Sequence, residues 1–326
     1  MSYISGGLIE ATDYNTFVGD SSSGLNRVWA TGATSFGYGQ TALSQVSVGS
    51  LVSATNWASL VNNLASTASH QGTTITSRIA PVSTDLITIL SNVSTDITNV
   101  TNARGNAAAS GTQYTAWTGT SSKTSSTGSG SSSWIITFTH TITWASANAA
   151  RYFFNAGGRI KWETSKTSTG QLADAEWNDL ANTLVGDIFI TGGALTQTIA
   201  GTAYTGVTKS GGTGSPTSLF TTRGWYNLTT TDQELYLQYA DTAPYTGQYI
   251  QLYGRTAGAG TQLVLTTYWV DPGGSAPGSS DVISGGTATS GITFGTAPAT
   301  VVTYFPPSTN NLTNSWGTPT VAASVT

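Results

Sequence analysis

Residues 134–144 read WIITFTHTITW, and that alternation admits one regular backbone. Trp134, Ile136, Phe138, His140, Ile142 and Trp144 fall on one side of an extended chain, and Ile135, Thr137, Thr139, Thr141 and Thr143 fall on the other. A helix advances by about 100° per residue and would scatter the same apolar set around its circumference. The stretch is therefore a strand with one buried face, and the rest of the chain must supply a layer to cover it.

Elsewhere the apolar period is that of a helix. In "VSATNWASLVNNL" (52–64), Trp57, Leu60, Val61 and Leu64 stand at i, i+3, i+4 and i+7, and in "LADAEWNDLANTL" (172–184) Trp177, Leu180, Ala181 and Leu184 repeat that spacing. A fainter copy, "IEATDYNTFV", carries Tyr14, Phe17 and Val18 near the start. Ser53 and Asp174 are the expected N-caps, because a short side-chain oxygen can accept a free amide of the first turn. Helices of about three turns are marginal alone, so Tyr14, Trp57 and Trp177 are expected to be packing anchors. Further on, Leu86, Leu90, Val93, Ile97 and Val100 are spaced 4, 3, 4, 3. That spacing suits a short oligomer seam, and it equally suits an amphipathic helix lying on its own domain.

Residues 118–133, "TGTSSKTSSTGSGSSS", read as a flexible loop. "ARYFFNAGGRIKWE" (150–163) reads as strand, glycine turn and strand, and "GDIFITGG" as a further strand. Beyond residue 216 strands follow one another. "ELYLQYA" sets Leu235, Leu237 and Tyr239 against Tyr236 and Gln238, and "YIQLY" sets Ile250 and Leu252 against Tyr249, Gln251 and Tyr253. The expected fold is α+β: a helical region over 1–117, the loop 118–133, an α+β module over 134–215, and a β-sandwich or jelly-roll over 216–326. The polar tail beyond Pro307 is expected to extend onto a neighbour.

Composition narrows the function. Charged residues are only 8% of the chain, against roughly 25% for an ordinary soluble domain. Thr, Ser, Asn, Gln and Gly must cover the surface. Such a surface has few ionic contacts to lose and little charge to oppose association, which suits life inside an assembly. With 11 Lys plus Arg and a net charge of −4 there is no basic stripe for nucleic acid. No apolar run approaches the ~18 residues of a membrane span, and "MSYISGGLIEA" has neither the basic nor the apolar region of a secretory signal. Cysteine is absent.

Catalytic signals are weak. The only histidines are His70 and His140, the latter on an apolar strand face, and no G-x-S-x-G elbow surrounds a serine. Asp174, Glu176 and Asp179 gather near the start of a helix, where carboxylates offset the helix dipole. Glu163, beside Trp162, is a candidate member of a glycan-cleaving carboxylate pair. "NAGGRIK" lacks phosphate-loop spacing and reads as a turn. No metal site or cofactor is expected. Tyr236, Tyr249 and Tyr253, opposite the apolar strand face, are the candidate glycan-contact surface.

Several motifs occur in an order that has a family likeness: "GGLIEATDYNTFVG", "SATNWASLVNNLASTASHQGTTITSR", "NARGNAAASGTQY", "ARYFFNAGGRIKWET" and "DAEWNDLANTLVGDIFITGG". Together they resemble virion structural proteins of tailed bacteriophages, most like the tail-fibre or tail-associated proteins of marine cyanophages. The likeness covers roughly residues 1–210. It implies a structural role without catalysis or cofactor, at a virion assembled in the host cytoplasm. The expected partners are further copies of the chain, with a trimer favoured, other virion proteins and a host-surface glycan. Two alternatives are a tailspike-like glycan hydrolase and a neck, baseplate or head component without host contact.

Overall fold

The computed structural model describes residues 10–83, 92–108, 118–122, 133–167, 172–273 and 296–326. The chain opens with helices α1 (Ala11–Val18), α2 (Asn26–Trp29), α3 (Ala54–Gln71) and α4 (Val93–Asn102). Strands β1 (Asn106–Ala107), β2 (Thr118–Ser122) and β3 (Trp134–Thr143) follow, then helix α5 (Ala147–Asn155), strand β4 (Arg159–Thr167) and helix α6 (Leu172–Asp179). A π-helical turn (Leu180–Leu184) leads into strands β5 (Asp187–Ile190), β6 (Gln197–Ile199), β7 (Thr202–Tyr204), β8 (Val207–Ser210), β9 (Ser218–Leu219), β10 (Gln233–Tyr239) and β11 (Tyr249–Ala257), and after a 3-10 turn (Gly258–Gly260) come β12 (Gln262–Asp271), β13 (Thr296–Phe305) and β14 (Thr320–Val325). The mixed α+β class is as the periodicities require.

Among the described residues three sheets form, with orders β14-β3-β12-β11-β10-β9, β2-β13-β4-β5-β8 and β1-β6-β7. The two larger sheets face one another. Trp162 of β4 donates its indole N–H to the Thr267 hydroxyl of β12 at 2.9 Å, and its ring lies 6.1 Å from that of Tyr236 on β10. Strand β3 behaves as its alternation demands: Ile136, Phe138, His140 and Ile142 are buried, as is Trp144 just beyond its end, while Ile135 on the other side is 54% exposed.

The expected boundaries do not divide these sheets. Strand β3, from the middle of the chain, pairs with both β12 and β14, and β13 pairs with β2 and β4. The 216–326 segment therefore shares both sheets with residues before it. Part of the expected loop, Thr118–Ser122, is strand β2. The tail folds back instead of leaving the molecule: β14 forms the edge beside β3, and Leu312 and Trp316 are buried.

The segment before Gly157 is helix α5, not strand. Ser146 caps it by accepting the Ala149 amide at 3.0 Å, and Ala149, Ala150, Phe153 and Phe154 are buried at helical spacing. The aromatic pair overrode the strand reading because both rings enter the core, Phe153 against Tyr304 and Phe154 against Trp225. Gly157, at φ +95°, then turns the chain into β4.

All three expected anchors are buried: Tyr14, Trp57 and Trp177 are each at most 1% exposed. They do not occupy equivalent settings. Tyr14 of α1 meets Trp57 of α3 edge-on at 5.2 Å, so two copies of the motif pack on each other. Trp177 of α6 stacks on Trp269 of β12 at 5.4 Å.

Helix α3 begins at a reciprocal cap in which the Ser53 hydroxyl accepts the Asn56 amide and Asn56 Oδ1 accepts the Ser53 amide. Asp174 is no cap, because α6 starts two residues earlier. Within the 4-3-4-3 row, Leu86 and Leu90 lie outside the described residues. Val93, Ile97 and Val100 are buried in the chain's own core on α4, beside α1, α2 and α3. Those three are the apolar face of a docked helix, and the oligomer reading does not hold for them.

Candidate surface site on the six-stranded sheet

The candidate glycan-contact residues divide. Tyr249 and Tyr253 of β11 lie on the outer face of the six-stranded sheet, both partly exposed. Tyr236 does not join them; it is fully buried and its hydroxyl donates to the Val185 carbonyl. A register shift between Glu234 and Tyr236 is the cause. Such a bulge inserts one residue and exchanges the two faces beyond it. Leu235 and Tyr236 are therefore both buried in succession, and Tyr239, expected inside, emerges 36% exposed. One signal for this was in the sequence. A glycine inside a strand marks a bulge or a close approach, and Gly254 sits where a Cβ would come within 2.8 Å of Leu235 Cδ1.

The outer face carries two tyrosine pairs. Tyr239 and Tyr249 are cross-strand partners with ring centroids 5.1 Å apart, and Tyr253 and Tyr268 meet edge-on at 5.7 Å. Tyr268, from β12, has no signal in the sequence, because "TQLVLTTYWV" is apolar on both sides and hides its period. Polar groups lie between and beyond the rings. Gln251 donates to Glu234 at 2.7 Å, Arg255 approaches Asp232 at 3.3 Å, and Thr137 of β3 is the neighbour of Tyr268 in register. Partial burial raises the phenol pKa of both Tyr249 and Tyr253, with Tyr239 adding to the first and Glu234 to the second. Both hydroxyls thus remain protonated donors at neutral pH. Tyr249 and Tyr253 stand about 13 Å apart along the strand, so the face is an elongated aromatic strip with hydrogen-bonding groups along it.

The catalytic candidates are placed differently. His140 is buried on the inner face of β3. His70 is buried at the end of α3, with Tyr38 edge-on at 5.1 Å, and burial lowers its pKa to about 4, so it is neutral. Glu163 is engaged by Lys161 at 2.5 Å, and Asp187, 4.0 Å from the same lysine, lies beside Glu163, whose charge adds to burial in raising the Asp187 pKa. A cleft of about 570 Å³ opens between the N-terminal helices and the 309–313 loop, among Tyr14, Trp29, Gln40, Asn56 and Asn63, and every residue lining it is uncharged. It offers neither a carboxylate nor an imidazole to a substrate.

The acidic residues of α6 have neighbours that the sequence did not disclose. Glu176 and Asp179 stand fifth and eighth in the helix, beyond the first turn where a carboxylate offsets the dipole. They meet Asp241, from the loop after β10, so that one oxygen of each lies within 4.8 Å of the others.

Fold and surface together define a mixed α+β protein built on two facing sheets, with a tyrosine strip on the outer side of the larger one. Comparison with family models, with characterised proteins and with solved structures gives no match to this chain. Among the described residues no helix is long and apolar enough to cross a membrane.

Proposed function

We propose that the protein is a non-catalytic structural subunit of a tailed-bacteriophage virion, attached at the tail, and that the outer face of its six-stranded sheet contacts a host-surface glycan. The observation that carries the glycan reading is the strip formed by Tyr239–Tyr249 and Tyr253–Tyr268. Sugar rings present apolar C–H faces and hydroxyl edges. Exposed aromatic rings supply the first contact and the adjacent Gln251, Arg255 and threonines the second. The virion part rests on the ordered N-terminal motifs and on a surface with little charge. Self-association, as a trimer or otherwise, would use surfaces other than Val93, Ile97 and Val100.

The test is binding of the full chain to a panel of immobilised bacterial surface polysaccharides, beside a Tyr249→Ala, Tyr253→Ala variant. Both positions are partly exposed, so the variant is expected to keep its thermal midpoint and to lose about tenfold or more in affinity. Equal binding by the two proteins, or binding by neither, would reject the glycan face and leave an architectural subunit.

A further inference from the structure

We infer that Glu176, Asp179 and Asp241 form a site for a hard divalent cation of the calcium class, which ties helix α6 to the loop after β10. The geometry comes first. Glu176 and Asp179 are three apart on one helix and so share a face, and Asp241 reaches them from the other side of 61 intervening residues, each contributing an oxygen within 4.8 Å of the other two. Oxygens bound to a common calcium ion at about 2.4 Å can be no farther apart than about 4.8 Å. The three carboxylates are therefore close enough to share one ion, with water free to complete the shell.

The second observation is independent of that spacing. Glu176 is 6% exposed, and its Oε1 is buried without a hydrogen-bond partner. The nearby Thr242 acts to lower the Glu176 pKa against burial, but its hydroxyl donates to Asp241 Oδ1 at 3.3 Å, and Glu176 Oε1 is left without a donor. Buried carboxylate oxygens are ordinarily paired, and one that is not calls for a counter-charge. The charges acting on Glu176 are instead those of Asp179 and Asp241, both negative. Burial first, and then this repulsion, raises its pKa. A dication would neutralise the cluster and occupy the free lone pairs, and oxygen-only ligands select calcium, magnesium or manganese over softer metals. The stretch following Asp179 is a π-helical turn, Leu180–Leu184. Such turns occur often beside functional positions because they re-aim the helix face.

The experiment uses the full chain, freed of metal by a chelator, and follows thermal unfolding during a calcium titration to ~10 mM, with sodium chloride added to a reference sample to match ionic strength. The wild type is expected to show a saturable rise in melting temperature that sodium does not reproduce. Glu176→Gln and, separately, Asp241→Asn are expected to abolish the rise or move its midpoint by about tenfold or more to higher calcium. Asp241 is exposed on a loop, so its variant retains the fold even if the buried substitution does not. A flat wild-type titration, a rise that sodium reproduces, or a rise in Asp241→Asn at the wild-type midpoint would each overturn the site.

Discussion

Helices α3 and α6 carry almost the same apolar pattern and end in different surroundings. Trp57 sits in a helix–helix junction, edge-on to Tyr14. Trp177 sits between a helix and a sheet, stacked on Trp269. Helix α3 runs on for 18 residues to Gly72, whereas α6 passes after Asp179 into a π-turn from which Ala181 offers its carbonyl to the Thr164 hydroxyl of β4. The pattern specifies that one face is buried around an aromatic ring. It leaves open what lies opposite, because a Trp ring packs as well on an aromatic edge as on a strand.

The largest effect separates the two settings. Trp57→Ala and Trp177→Ala should each cost about 3–5 kcal/mol, the range for emptying a buried aromatic site. Denaturant unfolding gives the totals, and native-state hydrogen exchange gives their location. The first change should loosen amides of α1 and α3 while those of β12 stay protected, and the second should do the reverse. A loss of a few tenths at either position, or the same amides released by both, would break the comparison.

The next effect belongs to α3 alone. His70 has a pKa of about 4 in the folded chain against 6.5 unperturbed, because burial disfavours its charged form. The unfolded chain therefore binds a proton near pH 6.5 that the folded chain refuses until near pH 4. Stability from this source is intact above the higher value and declines through that window, by about 3 kcal/mol in all. A His70→Gln variant, unfolded across the same pH range, should lack that share of the slope. A parallel pH profile would show that His70 accepts its proton without penalty.

The smallest effect concerns how each helix begins. Ser53→Ala removes the reciprocal cap of α3 and should cost about 1 kcal/mol. Asp174→Ala, at the third position of α6, removes no N-cap and should stay within about 0.5 kcal/mol. Equal losses in thermal unfolding would mean that the start of α3 and the start of α6 do not differ in what a short polar side chain contributes.

Much of the local structure was legible in the sequence. The inner face of β3 and the apolar faces of α3 and α6 follow from periodicity, because the side-chain period of each backbone is dictated by sterics within a few residues. What went astray locally did so through tertiary packing. The run before Gly157 became α5 because Phe153 and Phe154 both found core partners. Tyr236 turned inward because one extra residue in β10 exchanged the faces, and half of the expected surface site went with it.

By itself, then, the chain determined that it would be a mixed α+β protein, with three aromatic-anchored helical segments and with the inner faces of β3 and β11. Only the tertiary structure decided which strands became neighbours. β3 lies between β12 and β14, and β13 between β2 and β4, pairings that close long loops and have no local signature. The same closure brought Asp241 to Glu176 and Asp179, and set Tyr268 beside Tyr253. A period records which side of an element is apolar. The partner on that side is chosen by the whole core, in which Trp162, Thr267, Trp177 and Trp269 must be buried together.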